Sequence, residues 1–246
     1  MTRLDQALVE RGLCESRERA KRAILAGMIR INEQVAQKAS DKVKSTDIIT
    51  LQQPERYVSR GGYKLEHAIS LFGVNVQDSI AADLGASTGG FTDCLLQHGA
   101  KKVYAVDVGQ GQLSWKLRQD PRVIVMERTN ARDLIPQRMP QPFTALDLVV
   151  IDCSFISLEK ILPAAVALLR SGGTLVALVK PQFEAGKAEV DRGEGVITDP
   201  AIHQRVLEKL RNFVEQIGSL RWVRDVESPL IGPAGNKEFL ALIQKL

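Results

Sequence analysis

The run Asp83-Leu84-Gly85-Ala86-Ser87-Thr88-Gly89-Gly90-Phe91 closes an apolar stretch, Ile80-Ala81-Ala82, and is followed at 103–107 by Val-Tyr-Ala-Val-Asp. A strand, a glycine turn that opens a helix, and a second buried strand ending on a carboxylate make up the nucleotide-side half of a doubly wound α/β fold. Asp107 is then placed to accept hydrogen bonds from ribose hydroxyls. The turn reads Gly-x-x-x-Gly-Gly over Gly85, Gly89 and Gly90, not the Gly-x-Gly-x-x-Gly that brings a pyrophosphate to a helix N-terminus. An adenosyl ligand without phosphate suits it, which places S-adenosylmethionine ahead of NAD. Four more polar residues stand where apolar runs begin or end. Lys64 lies ahead of the first strand, Asp152 closes Leu148-Val149-Val150-Ile151, Lys180 closes Leu175-Val176-Ala177-Leu178-Val179, and Glu238 opens the last strand. In an open α/β sheet the rim at the carboxyl ends of the strands is where ligands bind.

Alternating strands and helices must position these residues. Apolar runs predict strands at 79–83, 102–107, 122–126, 146–152, 174–180, 220–226 and 238–243. Helical periodicity predicts helices at 89–98, 111–118, 156–170 and 200–217, with a further one carrying Leu65, Ala68, Ile69 and Phe72. Such alternation implies an α/β class protein, a Rossmann-like, mostly parallel seven-stranded sheet covered on both faces. Ahead of it, residues 1–52 read as a small α+β unit and 53–58 as a linker around Gln52-Gln53-Pro54-Glu55, leaving 59–246 for the larger domain.

Charge divides the chain in the same way. Residues 1–64 hold 13 Lys and Arg against 8 Asp and Glu, whereas the remainder holds 20 against 21. A basic appendage on a near-neutral body points to a nucleic-acid partner. No apolar run approaches the roughly 18 residues of a membrane span, and Met1-Thr2-Arg3-Leu4-Asp5 begins no signal peptide. Three scattered cysteines, Cys14, Cys94 and Cys153, form no CxxC, so a reduced cytoplasmic setting without disulfide framework or metal site is expected.

In the first unit Leu4, Leu8 and Val9 follow a helical period that Gly12 ends. Ser16 caps a second helix, Arg17 to Ala26, with Ala20, Ala23 and Ile24 on one face and Arg17, Lys21 and Arg22 crowding another. Short strands are predicted around Ile29-Ile31, Val35 and Ile48-Leu51. Arg3-Leu4-Asp5, Ser16-Arg17-Glu18-Arg19-Ala20 and Gly27-Met28-Ile29-Arg30-Ile31-Asn32 resemble the S-four-like RNA-binding domain of the small-subunit ribosomal protein four. The resemblance implies that the Ser-Arg-x-x-Ala helix and the following glycine turn face RNA, with Arg3, Arg17, Arg19, Lys21 and Arg22 as contacts.

Lys64, Asp152, Lys180 and Glu238 match in order the Lys-Asp-Lys-Glu tetrad of FtsJ/RrmJ-type RNA ribose 2′-O-methyltransferases. The phrases Ser59-Arg60-Gly61-Gly62-Tyr63-Lys64-Leu65, Asp83 to Phe91, Asp152-Cys153-Ser154-Phe155-Ile156-Ser157-Leu158 and Val179-Lys180-Pro181-Gln182-Phe183-Glu184 resemble the TlyA family, long labelled hemolysins. That resemblance covers essentially the whole chain. It implies methyl transfer from S-adenosylmethionine to the ribose 2′-hydroxyl of cytidines in ribosomal RNA, by a cytoplasmic monomer or weak dimer acting on ribosomal subunits. The absence of an evident N-terminal extension leans toward the family members that act on the large subunit alone. By position, Gly85 and Ser87 line the methionine end with Gly89, Gly90 and Phe91 completing the turn. Asp83 holds the turn and the cofactor's amine, Asp107 the ribose, and Asp133 the adenine amino group.

The tetrad makes physical sense for that reaction. A ribose hydroxyl must lose its proton as it attacks the sulfonium methyl, and Lys180 is the candidate to take it. A lysine is ordinarily protonated, with a pKa of about 10.4. Desolvation and a cationic neighbour free its lone pair, whereas a nearby carboxylate opposes that, so the net direction stays open. Three rivals remain. A membrane-active hemolysin needs a long apolar span or a strong basic amphipathic helix. A base methyltransferase would carry Asn/Asp-Pro-Pro-Tyr where Asp152-Cys153-Ser154-Phe155 stands, or a reactive thiol at Cys153. A noncatalytic RNA-binding protein would have no use for the four tetrad residues.

Overall fold

The computed structural model describes residues 1–52 and 55–246, so Gln53 and Pro54 of the expected linker lie outside the described residues. The chain forms two compact units, Met1–Arg56 and Tyr57–Leu246. In the first, β1 (Thr2–Arg3) leads into α1 (Leu4–Glu10), followed by α2 (Arg17–Leu25), β2 (Ile29–Ile31), β3 (Gln34–Val35), β4 (Lys42–Val43) and β5 (Ile49–Leu51). Ser16 caps α2 by accepting from the Arg19 amide. Leu4, Leu8, Ala20, Ala23 and Ile24 bring the two helices together over Ile29 and Val43. The pairing of β1 with β4 was not expected. Each is two residues long, too short for alternation to register.

The second unit runs α3 (Gly61–Phe72), β6 (Ile80–Leu84), α4 (Gly90–Gln97), β7 (Lys102–Val106), α5 (Trp115–Arg118), β8 (Val123–Met126), β9 (Leu146–Ile151) and α6 (Leu158–Leu168). It continues through β10 (Leu169–Val179), α7 (Pro181–Glu184), α8 (Lys187–Arg192), α9 (Pro200–Gln216), β11 (Leu220–Glu227) and β12 (Phe239–Lys245). The seven strands lie in the order β11-β12-β10-β9-β6-β7-β8. Among them β12 alone runs opposite to the other six. Apolar side chains fill both faces, alternating from Leu148 onward in β9. Leu146, Val149 and Ile151 of β9 join the core under α6 and α9, while Leu148 and Val150 join the core under α3 and α4. The strand order reverses between β6 and β9, which opens a crevice at their carboxyl ends.

Two boundaries differ from expectation by more than two residues, and two short helices had no counterpart in it. The helix predicted at 111–118 shrinks to α5, because the amides of Gly109, Gly111 and Ser114 donate to Asp107, Glu127 and Thr88 rather than to a helical ladder. β10 starts at Leu169, five residues early, and absorbs Ser171-Gly172-Gly173 through a break in register. The short helices α7 and α8 carry no apolar period that could announce them.

Candidate active site

The turn after β6 is built from left-handed backbone at alternate residues, Gly85 (φ 90°), Ser87 (φ 49°) and Gly89 (φ 99°). Gly85 is required twice over, since a Cβ there would lie 2.7 Å from the Asp152 carbonyl oxygen. Ser87 stands in a conformation that favours glycine, and two hydrogen bonds hold it there. Its amide donates to Asp107 Oδ2 at 2.8 Å and its hydroxyl to Gln112 Oε1 at 3.2 Å. Asp107 also accepts from the Gly109 amide at 2.7 Å, so this carboxylate ties the glycine turn to the loop after β7. Beneath the turn, Asp83 Oδ2 accepts from the Thr92 amide and hydroxyl at 2.9 and 2.7 Å. Its Oδ1 is buried without a partner among the described residues. Burial pushes this carboxyl up to about 7 against the Thr92 hydrogen bonds, and the charges of Asp152 and Asp107 add to the rise.

The crevice has two lobes that share Gly85, Ser87, Asp152 and Ser154. One, of about 420 Å³, is walled by Val106, Asp107, Asn130, Phe155 and Ile156. The other, of about 290 Å³, is lined by Lys64, Asp152, Lys180 and Glu238, together with Gly90 and Phe91. Residues separated by up to 174 positions therefore meet on one surface, as two amine–carboxylate pairs. Lys64 Nζ lies 2.5 Å from Glu238 Oε2, with both side chains buried. Lys180 Nζ lies 2.6 Å from Asp152 Oδ1 and donates to Ser154 Oγ at 2.8 Å. Lys64 is drawn in by α3, Asp152 and Lys180 terminate adjacent parallel strands, and Glu238 enters from the reversed strand β12.

Not every expected residue reaches this surface. Asp83, beneath the turn, and Gly89, within it, line neither lobe. Asp133 is exposed and pairs with Arg132 at 3.6 Å, whereas Asn130 and Ala131 of the same segment face the larger lobe. Cys153 donates its thiol to the Leu84 carbonyl at 3.3 Å. Burial, helped by the Asp152 charge, pushes that thiol up to about 12, which removes the thiolate that base methylation through a cysteine nucleophile needs.

In the first unit the basic residues divide. Arg3 and Arg17 both bind the fully buried Asp5 carboxylate, at 3.0 and 2.8 Å, and hydrogen bonds from Arg3 lead in holding that carboxyl at about 2. Arg19 pairs with Glu15 and Lys21 with Glu18, while Arg22 is exposed with no ion-pair partner among the described residues.

Sequence reasoning missed Phe155 as a site residue. It holds a left-handed backbone (φ 62°), is 91% exposed, and leans on Phe183 with ring centroids 5.0 Å apart at the mouth of the larger lobe. An aromatic residue three positions beyond Asp152 was the available signal. Glu184 was also passed over. It is buried and accepts from the Ser157 hydroxyl and the Leu158 amide at 2.6 and 2.7 Å, locking α7 to the start of α6.

Residues 57–245 match the FtsJ-like methyltransferase family model and residues 2–49 match the S4 domain model. The Bacillus subtilis protein YqxC, named as a candidate rRNA methyltransferase, is 50% identical over 239 residues, 97% of this chain and 84% of that protein. The Mycobacterium tuberculosis 16S/23S rRNA (cytidine-2′-O)-methyltransferase TlyA is 45% identical over 241 residues, 96% of this chain and 87% of that protein. A solved structure of a hemolysin-labelled protein from Streptococcus thermophilus superposes with a TM-score of 0.75 at 45% identity, covering 99% of this chain and 88% of that one. Taken with the lobed crevice at the carboxyl ends of a seven-stranded sheet, these matches place the chain in the FtsJ-like methyltransferase family, with an S4 domain ahead of its catalytic unit.

Proposed function

We propose that this enzyme transfers a methyl group from S-adenosylmethionine to the ribose 2′-hydroxyl of cytidine in ribosomal RNA, in the cytoplasm. The observation that carries the reading is the meeting of Lys64, Asp152, Lys180 and Glu238 in one lobe, open through Gly85 and Ser87 to a second lobe walled by Asp107. The larger lobe fits the cofactor. Gly85 leaves a cradle that a side chain would fill, and two carboxylates in the lining, Asp107 and Asp152, supply negative charge for a ligand that is cationic. When bound, that ligand supplies an electrophilic methyl on a sulfonium. The relative named TlyA supports the choice of ribosomal RNA and of cytidine.

Within the smaller lobe, Asp152 and Ser154 hold the Lys180 amine in place, and Glu238 does the same for Lys64. A hydroxyl entering between the amines gives its proton to Lys180 Nζ, which must first have released its own. Lys64 stabilises the developing alkoxide, and Asp152 compensates the charge on Lys180 as it gains the proton. Phe155 offers an aromatic face on which a base taken out of its stack can rest. Holding the substrate oxygen toward the methyl of a bound donor would supply much of the rate.

The test uses ribosomal subunits from cells lacking the gene, a labelled methyl donor, and nucleoside analysis of the product. Wild type yields 2′-O-methylcytidine. Lys180→Ala and Asp152→Ala lower turnover by about 10²–10⁴-fold while cofactor affinity, read by calorimetry, is retained. Asp107→Ala does the reverse and weakens cofactor binding. Label in a base rather than in ribose, or normal turnover in either tetrad variant, rejects the reading.

A further inference from the structure

Glu238 stands at the end of a loop, 228–238, that has little apolar anchorage. Ile231 points outward and is 59% exposed, Pro229, Pro233 and Ala234 are exposed, and Gly232 and Gly235 have no side chain, which leaves a half-buried Leu230 as the loop's one large apolar side chain turned inward. Yet this loop presses directly on the Glu238 carboxylate. A Cβ at Gly232 would lie 2.6 Å from Oε1, and the Gly232 amide donates to the Asn236 carbonyl at 2.8 Å. Any shift of the loop is therefore felt at the carboxylate whose other oxygen, Oε2, holds Lys64.

What fixes the loop is polar. Asn236 is 1% exposed, and both ends of its side-chain amide bond to backbone that follows α8. Oδ1 accepts from the Ile197 amide at 2.8 Å and Nδ2 donates to the Gly195 carbonyl at 2.9 Å. That backbone is itself braced. The Ile197 carbonyl accepts from His203 Nε2 at 2.9 Å, the His203 ring packs on Phe239 with centroids 5.4 Å apart, and Asp199 caps α9 by accepting from the Ala201 amide. Buried amides and carbonyls left unpaired are costly, so the Asn236 bridge holds more firmly than an exposed one.

We propose that Asn236 is a positioning residue for the Lys64–Glu238 pair, acting by pinning the loop before β12 to the backbone at Gly195 and Ile197. The proposal rests on the reading of that pair as part of the catalytic set. Asn236 touches neither lobe, so its effect runs through Glu238 and thence Lys64.

Two measurements test it. Competitive acylation of lysines, well below the melting temperature and without substrate, reads the pair directly. Asn236→Ala should make Lys64 several-fold more reactive while Lys180, held by Asp152, stays unchanged. Turnover then reads the consequence. The same variant should lose about 10–100-fold in kcat with KM for RNA and cofactor affinity held within about twofold, since a displacement near 1 Å suffices for such a loss. In a Glu238→Gln background the second substitution should add almost nothing. Asn236→Asp keeps the acceptor facing Ile197 and loses the donor to Gly195, and it carries both tests where the alanine variant does not fold. Unchanged Lys64 reactivity in a folded variant, or losses in kcat that simply add, overturns the proposal. Absent methylation by wild type rejects the ribosomal RNA reading instead, and the acylation result still decides the role of Asn236.

Discussion

Asp83 shows how one buried atom can set the pH response of the catalytic unit. Its folded pKa of about 7 stands well above the 3.8 of an ordinary aspartate. Between those values the folded protein holds a proton that the unfolded chain has released, so this residue makes stability fall as pH rises through that window. Above it both states are ionised and the full burial penalty remains. Asp83→Asn cannot ionise and still accepts from Thr92. In ligand-free protein the variant should gain on wild type as pH climbs from 4 to 7, reaching on the order of 2–4 kcal/mol at pH 8. Urea unfolding at pH 5 and pH 8 checks this, and an equal stability difference at both values would mean that Asp83 is ionised throughout.

Among the elements, the hairpin of β2 and β3 carries strain that is separable from function. Asn32 and Glu33 both hold left-handed backbone, with φ of 47° and 71°. Two-residue hairpins demand this geometry because it matches the twist of the strands, and Asn-Gly is the pair that meets it without penalty. The Arg30 guanidinium donates to the Glu33 carbonyl, a backbone group that any residue there retains. Glu33→Gly should therefore stabilise the first unit by about 0.5–1 kcal/mol, the usual relief of left-handed strain being partly offset by the freedom glycine gains when unfolded. Differential scanning calorimetry checks it, with an unchanged or lowered transition counting against strain at this turn.

At the scale of the whole molecule, the excess positive charge of the first unit is not all available to a polyanion. Arg3 and Arg17 are committed to the buried Asp5 carboxylate, whereas Lys21 pairs at the surface and Arg22 stands free of ion pairs among the described residues. Exposed pairs yield readily to a competing phosphate, and buried ones do not. Charge reversal at Lys21 and Arg22 should thus weaken ribosomal RNA binding and lower the log–log salt slope by about 1 per lost contact, with cofactor affinity intact. Arg17→Glu should instead unfold the first unit by setting a second carboxylate against Asp5. Filter binding over a salt series, paired with circular dichroism, separates the two. Equal affinity and slope in wild type and the Lys21/Arg22 variant would remove this helix from the RNA interface.

Much of this protein could be read from its residues in order. Six of the seven strands fell within two residues of expectation, and the central parallel ones did so because strands buried on both faces are nearly continuous apolar runs, whereas β11 carries Arg221, Arg224 and Asp225 at the edge of the sheet. The arrival of Asp107, Asp152, Lys180 and Glu238 at the rim of the sheet was legible because polar residues at the ends of such runs have few other places to go, whereas Lys64, on α3, was singled out only by the resemblance to a known tetrad. Tertiary structure decided what depends on distant partners. Lys64 pairs with Glu238 across 174 positions, Asp5 claims Arg17, Asn130 and Ala131 rather than Asp133 face the larger lobe, and Asn236 reaches back to Gly195 and Ile197. No local period encodes any of these, since each exists only once the sheet has brought separate strand ends and loops within hydrogen-bonding distance.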